Sequence, residues 1–468
     1  MSLRIQAALL VACIFPSLHA AEPGAARLKK DVQYLASDKL KGRGVGTPGL
    51  ESAAEYIAHR FWQIGLQPGT AGGWFQRVPV TTVEAGDISL TIGIASKKLA
   101  LSNTSAKALV AGPVSVTDAE VVKLDRDYLR TLKRGELRGK VGITSDFGIA
   151  QRSQSAAPEL VVVASAKAAE MMTMMPADIP GIEGDDSRFP ITALVTADPD
   201  FSKLVDESSA GLVKDAKSSA VVQGGRRNYQ IRNVLGLLPG SDPVLKNTYI
   251  IVSAHYDHLG ETTGGPDSIR NGANDDASGV AAMLGVAQRL IRANPRPRRS
   301  ILFAAWTGEE SGGLGSRFYA RHPIYPLQQT VANINIEQIG RYDGEGGAGP
   351  KRVFMTGYGY STLGTMMTTA AQTVGVEAYA GPDAFFARSD NVFLAEAGVP
   401  AHTIGASLEF PDYHKVSDSA DKLDYDNMAV LTRAVAATVQ AVANSSDEPA
   451  WSTTVKAVEP YRKARGKS

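Results

Sequence analysis

Cysteine is almost missing from this 468-residue chain, where Cys13 stands alone. A single thiol excludes an internal disulfide framework and paired-thiol chemistry. An excess of one charge is missing as well: 49 Lys and Arg face 48 Asp and Glu, for a formal net charge of +1. That balance leaves no broad basic field, so a nucleic-acid partner is not expected, and there is no acidic tail. The one short basic run, Arg296-Pro297-Arg298-Arg299, reads as a solvated turn. Long apolar runs are absent beyond the first twenty residues, so no transmembrane segment is expected in the mature chain. Histidine is scarce, and none occurs between residues 100 and 224.

The start of the chain does carry a signal. Arg4 precedes a short apolar run, Pro16 follows, and small residues stand at Ala20 and Ala21. This pattern predicts a signal peptide over 1–20 and an exported protein, periplasmic or secreted. Leu10-Val11-Ala12-Cys13 also fits a lipoprotein box, which would anchor the chain at Cys13. The apolar run continues past Cys13 and favours ordinary cleavage.

At 44% hydrophobic and 21% charged the composition is globular, and the length suits one large domain with an insertion. Residues 28–68 read as two helices joined by a Gly-rich turn. In that turn Gly44-Val45-Gly46-Thr47-Pro48-Gly49 satisfies GxGxxG, but no apolar strand precedes it and Pro48 interrupts it. A turn explains it better than a dinucleotide site. Residues 74–95 alternate as strands, and from 100 to 224 the texture becomes β-rich, with a Met-rich stretch from Met171 to Met175 that reads as core or loop flank. The expected organisation is a first part over 21–99, an inserted domain over 100–224, a main part over 225–448 and a polar, loosely ordered tail over 449–468.

The main part alternates strand and helix, with strands expected at 248–254, 300–306, 331–337, 352–356 and 400–405. That alternation predicts an α/β fold, a mostly parallel mixed sheet flanked by helices. Ligand sites in such sheets lie beyond the carboxyl ends of the strands. His255, Glu309, Glu310 and Glu337 all fall at such ends, and Asp275-Asp276 precedes a helical pattern. Histidine with carboxylates suits a divalent metal such as zinc, and a carboxylate left over suits a general base. Taken singly, Glu309-Glu310 reads as a helix start and Asp275-Asp276 as a helix cap. His322 and His402 read as a loop and a strand histidine, while His258 stands close enough to the cluster to touch it.

His255-Tyr256-Asp257, Asn274-Asp275-Asp276-Ala277-Ser278-Gly279, Glu309-Glu310, Glu337 and Tyr413-His414 occur in an order that resembles the co-catalytic di-zinc exopeptidases of peptidase clan MH. Bacterial leucyl aminopeptidase and glutamate carboxypeptidase belong to that group. The resemblance implies the zinc exopeptidase fold, a protease-associated insert, peptide substrates and two zinc ions. Asp275 would bridge them, with His255 and Glu337 on one and Glu310 and His414 on the other. Glu309 would be the general base, Asp257 would orient His255, and Tyr413 would stabilise the oxyanion. It also implies a cis peptide between Asp275 and Asp276. Two departures stand out: Glu337 where many relatives have Asp, and Asn391 where they often have His.

An aminopeptidase is the leading expectation. A carboxypeptidase or dipeptidase would use the same metals but needs a cation for the substrate carboxylate, for which Arg388 is a candidate. A glutaminyl-cyclase-like acyltransferase predicts one zinc and a non-catalytic receptor-like relative predicts lost ligands, and the complete set argues against both. Oligomeric state and side-chain preference leave no sequence signal.

Overall fold

The computed structural model describes residues 24–109, 111–174, 180–184, 191–262 and 265–466. The expected signal peptide, with Cys13, lies outside the described residues. Among those described, no helix is long and apolar enough to cross a membrane.

The apolar runs of the main part form strands Tyr249–His255, Ser300–Trp306, Thr330–Ile336, Arg352–Met355 and Ala401–Gly405. From one edge the sheet runs Glu377–Ala380, Arg352–Met355, Ala401–Gly405, Thr330–Ile336, Tyr249–His255, Ser300–Trp306 and Gly211–Leu238. Ala401–Gly405, Thr330–Ile336, Tyr249–His255 and Ser300–Trp306 are parallel neighbours, so their carboxyl ends share one edge. Alternate side chains feed two cores, as a strand's period of two requires. Ile250 and Val252 pack with helix Ser278–Leu290, while Ile251 packs on the other face with Leu302 and Trp306. Asn333 and Asn335 are buried in the sheet and are linked through Ser253, whose Oγ accepts from Asn333 at 2.9 Å and donates to Asn335 at 2.8 Å.

Helix Ser278–Leu290 is almost entirely buried under this sheet. Val280, Met283 and Leu284 have no solvent exposure, and truncating one of them to alanine costs about 2–5 kcal/mol in a packed core. Gly279 is required by close approach, since a Cβ there would lie 2.3 Å from Asp276 Oδ2 and 2.4 Å from the Ile336 carbonyl.

The two expected N-terminal helices are Ala25–Leu35 and Pro48–Ile64. Thr47 Oγ1 accepts from Leu50 N, and Pro48 occupies the first turn, where a missing N–H costs nothing. The Gly-rich segment is therefore a turn and helix cap.

Strands Phe75–Ile94 and Gly211–Leu238 pair antiparallel from Val234 opposite Phe75 to Ala216 opposite Ile94. They carry the chain into a second core built from Leu90, Ile92, Val121, Val141, Val162 and Leu194 among others. This core already includes Ile88, upstream of residue 100. Its strands Val114–Lys123, Lys140–Thr144, Leu160–Ala164 and Ala193–Thr196 are parallel in order. Four short helices accompany them, more helix than the segment's β-rich texture suggests. Each spans two turns or so, too short for a helical period to stand out. Met172 is buried there and Met171 is half exposed, while Met175 lies outside the described residues.

The tail corrects an expectation. Residues 450–466 are packed, with helix Glu459–Arg465. Trp451 is buried against Phe386 and Tyr461, and its Nε1 donates to the Gly398 carbonyl at 2.9 Å.

Candidate metal centre

His255 closes its strand with no solvent exposure. The next residues turn away: Tyr256 N still donates to the Trp306 carbonyl at 3.0 Å, and Asp257 reaches across to the neighbouring strand end. Its carboxylate accepts from Glu309 N at 3.0 Å and from Glu310 N at 3.3 Å. The same carboxylate faces His255 at longer range, with His255 Nδ1 3.9 Å from Oδ1. That nitrogen lies 3.2 Å from the Asp257 main-chain oxygen. The backbone thus makes the closer contact to the imidazole, and the side chain fixes the turn bearing the two glutamates.

Asp275 and Asp276 divide the work of their pair. The peptide between them is cis. Asp276 Oδ1 accepts from Gly279 N and Gln338 N, both at 3.0 Å, so it caps the helix and ties it to the end of strand Thr330–Ile336. Asp275 faces the strand ends. Its amide donates to Asp418 Oδ2 at 3.2 Å, which couples it to the loop carrying His414.

The donors converge in two groups. His255 Nε2 lies 3.2 Å from Asp275 Oδ1 and 3.5 Å from Glu337 Oε1. His414 Nε2 lies 3.3 Å from Asp275 Oδ2 and 3.1 Å from Glu310 Oε2. All five side chains singled out by the sequence as metal ligands meet here. His258 joins the second group, with Nδ1 2.7 Å from Glu310 Oε1 and 4.0 Å from Asp275 Oδ2. Two compact candidate sites follow, His255/Asp275/Glu337 and His258/Asp275/Glu310, with Asp275 common to both.

Short distances are not matched by hydrogen bonds. His255 Nε2, His258 Nδ1, Asp275 Oδ2, Glu310 Oε1 and His414 Nε2 are buried without a partner in hydrogen-bond geometry. Buried polar atoms left unpaired are costly. A cation among them removes that cost, and donors that would each sit about 2.0–2.2 Å from zinc are spaced within its reach. The residues present therefore fit a zinc site.

The adjacent glutamates differ sharply. Burial holds the Glu309 carboxyl well above the usual carboxylate range, more than His255 can pull it down. For Glu310 burial and Asp275 also push up, but His414 and His258 outweigh them and bring it to about 2. The surroundings thus push the two neighbouring carboxyls in opposite directions. Tyr413 stacks on His414 with ring centroids 3.8 Å apart, and burial raises its hydroxyl far above the ordinary tyrosine value.

Other candidates lie elsewhere. His402 is buried in its strand, between Ser361 Oγ at 2.7 Å and the Thr356 carbonyl at 2.9 Å. His322 is exposed against Phe318. Asn391 supports the loop, donating to the Phe386 carbonyl at 3.0 Å and accepting from Thr403 Oγ1 at 2.8 Å. Sequence reasoning missed Asp418 and Arg43. Only proximity to His414 marks the first, and nothing local marks the second.

A parallel sheet whose strand ends gather imidazoles and carboxylates around one shared aspartate presents a candidate metal centre in a mixed α/β fold. Residues 233–439 match the model of peptidase family M28. The chain is 28% identical over 215 residues to a probable glutamate carboxypeptidase of Zea mays, covering 42% of this chain and 28% of that protein. The chain thus spans little more than a quarter of that relative's length. An aminopeptidase from Aneurinibacillus sp. strain AM-1 has a similar fold, with TM-score 0.62 and 17% identity, covering 89% of this chain and 93% of that one. A zinc aminopeptidase from Bacillus subtilis superposes with TM-score 0.57 and 18% identity, covering 89% and 94%.

Proposed function

We propose that this chain is an exported, zinc-dependent aminopeptidase that releases N-terminal residues from peptides. Asp275 carries the reading: one carboxylate oxygen lies 3.2 Å from His255 Nε2 and the other 3.3 Å from His414 Nε2. A carboxylate shared in this way suits two cations side by side. His255, Glu337 and Asp275 would hold one zinc, and Glu310, His414 and Asp275 would hold the other. Zinc bound there supplies an acidified water and a polarised scissile carbonyl.

Glu309 accepts a proton from the attacking water and delivers it to the leaving amine. Its elevated proton affinity, caused first by burial, suits a group that must hold that proton between the two transfers. Tyr413 offers its hydroxyl to the developing oxyanion. Asp257 keeps Glu309 and Glu310 at fixed positions through their amides.

The choice of substrate end rests on Arg388. A carboxypeptidase needs an available cation for the terminal carboxylate, and Arg388 is engaged with Glu409 at 2.7 Å. Glu309 and Glu337 line the adjoining cavity, an acidic wall that disfavours a substrate carboxylate. The carboxypeptidase reading is kept second because the Zea mays relative carries that name. The signal pattern over 1–20 supports export. The segment 100–224 is read as a protease-associated-like domain that borders the substrate entrance and supplies no metal ligand.

Aminoacyl and peptidyl substrates with free and blocked N-termini, assayed alongside metal analysis, test the proposal. Hydrolysis confined to free amines, close to two zinc per chain and loss of activity on chelation are expected. Hydrolysis that requires a free carboxylate and ignores the N-terminus would overturn it.

A further inference from the structure

A small cavity of about 30 Å³ opens beside Glu309 and Glu337. Thr356, Thr403, Phe385 and Leu408 contribute its walls, and Arg388 and Glu409 stand at its rim. The two rim side chains are 47% and 42% exposed and meet at 2.7 Å. Arg388 also lies over the Phe385 ring, 4.3 Å from its centroid, so its guanidinium covers the apolar wall. The loop is pinned from the other side, where Leu408 N donates to the Glu345 carbonyl at 2.8 Å.

We propose that the Arg388–Glu409 pair closes the pocket for the substrate's N-terminal side chain and restricts the enzyme to short uncharged residues such as alanine, serine and threonine. The inference rests on the aminopeptidase reading above. Size is the first argument: a space of this order admits roughly two or three water molecules, so a methyl or hydroxymethyl group fits and a phenyl ring does not. Charge is the second. Glu409 neutralises Arg388, leaving the rim without a net charge to pair with an acidic or basic side chain. Thr356, whose hydroxyl makes one long bond of 3.5 Å to the Thr403 carbonyl, stands beside Phe385 and Leu408 and suits a short group that is either aliphatic or hydroxylated.

The pair also states what should follow when it is broken. Without the Glu409 carboxylate, Arg388 can swing off Phe385 and becomes an unneutralised cation at the rim. Acidic N-terminal residues should then be accepted. The full chain, loaded with zinc, would be assayed on aminoacyl p-nitroanilides of alanine, serine, leucine, phenylalanine, lysine and glutamate. Wild type is expected to prefer alanine over phenylalanine by at least tenfold in kcat/KM, with glutamate and lysine poorer still. Glu409→Gln should raise the glutamate-to-alanine ratio at least tenfold, mainly through KM. Adding Arg388→Ala should abolish that gain while improving leucine. A wild-type preference for phenylalanine or leucine over alanine would overturn the inference, as would a glutamate-to-alanine ratio unmoved by Glu409→Gln. Failure of every free-amine substrate would instead sink the aminopeptidase reading, and this inference with it.

Discussion

Arg43 Nη2 donates to the Gly272 carbonyl at 2.9 Å, although the two residues stand 229 positions apart. The same fully buried guanidinium donates to the Tyr256 carbonyl at 2.8 Å, the Asn271 carbonyl at 2.6 Å and the Leu35 carbonyl. One side chain from the Gly-rich turn therefore fastens the loop after His255 to the loop before Asp275. Burial lowers its pKa to about 10, and Asp257 leads the opposing influences, so it remains a cation at neutral pH. Arg43→Ala leaves buried carbonyls unpaired, at about 1–3 kcal/mol for each that water cannot reach. We expect a loss of several degrees in Tm together with weaker zinc retention, and a smaller loss of both for Arg43→Lys. Unchanged zinc affinity in a folded Arg43→Ala protein would show that the staple does not position the site.

Glu309 and Glu310 should separate catalysis from metal binding. Glu309→Gln keeps shape but cannot take a proton, so zinc content should hold while turnover falls by about 10²–10⁴. Glu310→Gln should lose zinc and recover part of its activity in excess metal. Parallel metal analysis and kinetics decide the point, and the opposite pattern would exchange the two roles.

Asp257 supplies both of its oxygens to amides at the next strand end. In Asp257→Asn one oxygen becomes an NH2 group facing an N–H donor. The turn carrying both glutamates should shift, lowering kcat about tenfold or more with little change in KM. An Asp257→Asn enzyme with wild-type kcat would remove the turn-fixing role assigned to this carboxylate.

His402 gives a pH dependence away from the metal ligands. Burial lowers its pKa from 6.5 to about 4, so the folded state keeps it neutral where the unfolded chain takes up a proton. Its contribution is therefore complete above pH 6.5 and is lost as pH falls towards 4, amounting to about 3 kcal/mol. Denaturation curves of wild type and His402→Asn between pH 7 and 4 should converge as the pH drops. Curves that stay parallel would mean that another group controls acid stability.

The central strands were legible because each is a short apolar run that stops at polar residues, and His255, Glu309 and Glu337 sit at those stops. Asp275-Asp276 was legible as a pair, but alternation alone could not tell which carboxylate caps the helix. Arg43 was illegible for a different reason: all its partners but Leu35 are hundreds of positions away, and a lone arginine between glycines looks like any exposed turn. His258 was legible as a neighbour of the cluster, but only folding shows its ring against Glu310. Trp451 sits in a polar stretch, and its burial depends on Phe386 and Gly398, which nothing nearby announces.

The paired strands Phe75–Ile94 and Gly211–Leu238 join the two cores as one stiff girder rather than as a flexible tether. Swinging the second core away as a unit would mean tearing a ladder that runs from Val234 to Ala216. The ladder slips register once, between Val222 and Gly224. At its inner end the girder is itself the neighbour of strand Ser300–Trp306, the strand that leads directly to Glu309 and Glu310, so the outer unit and the two glutamates share one continuous ladder.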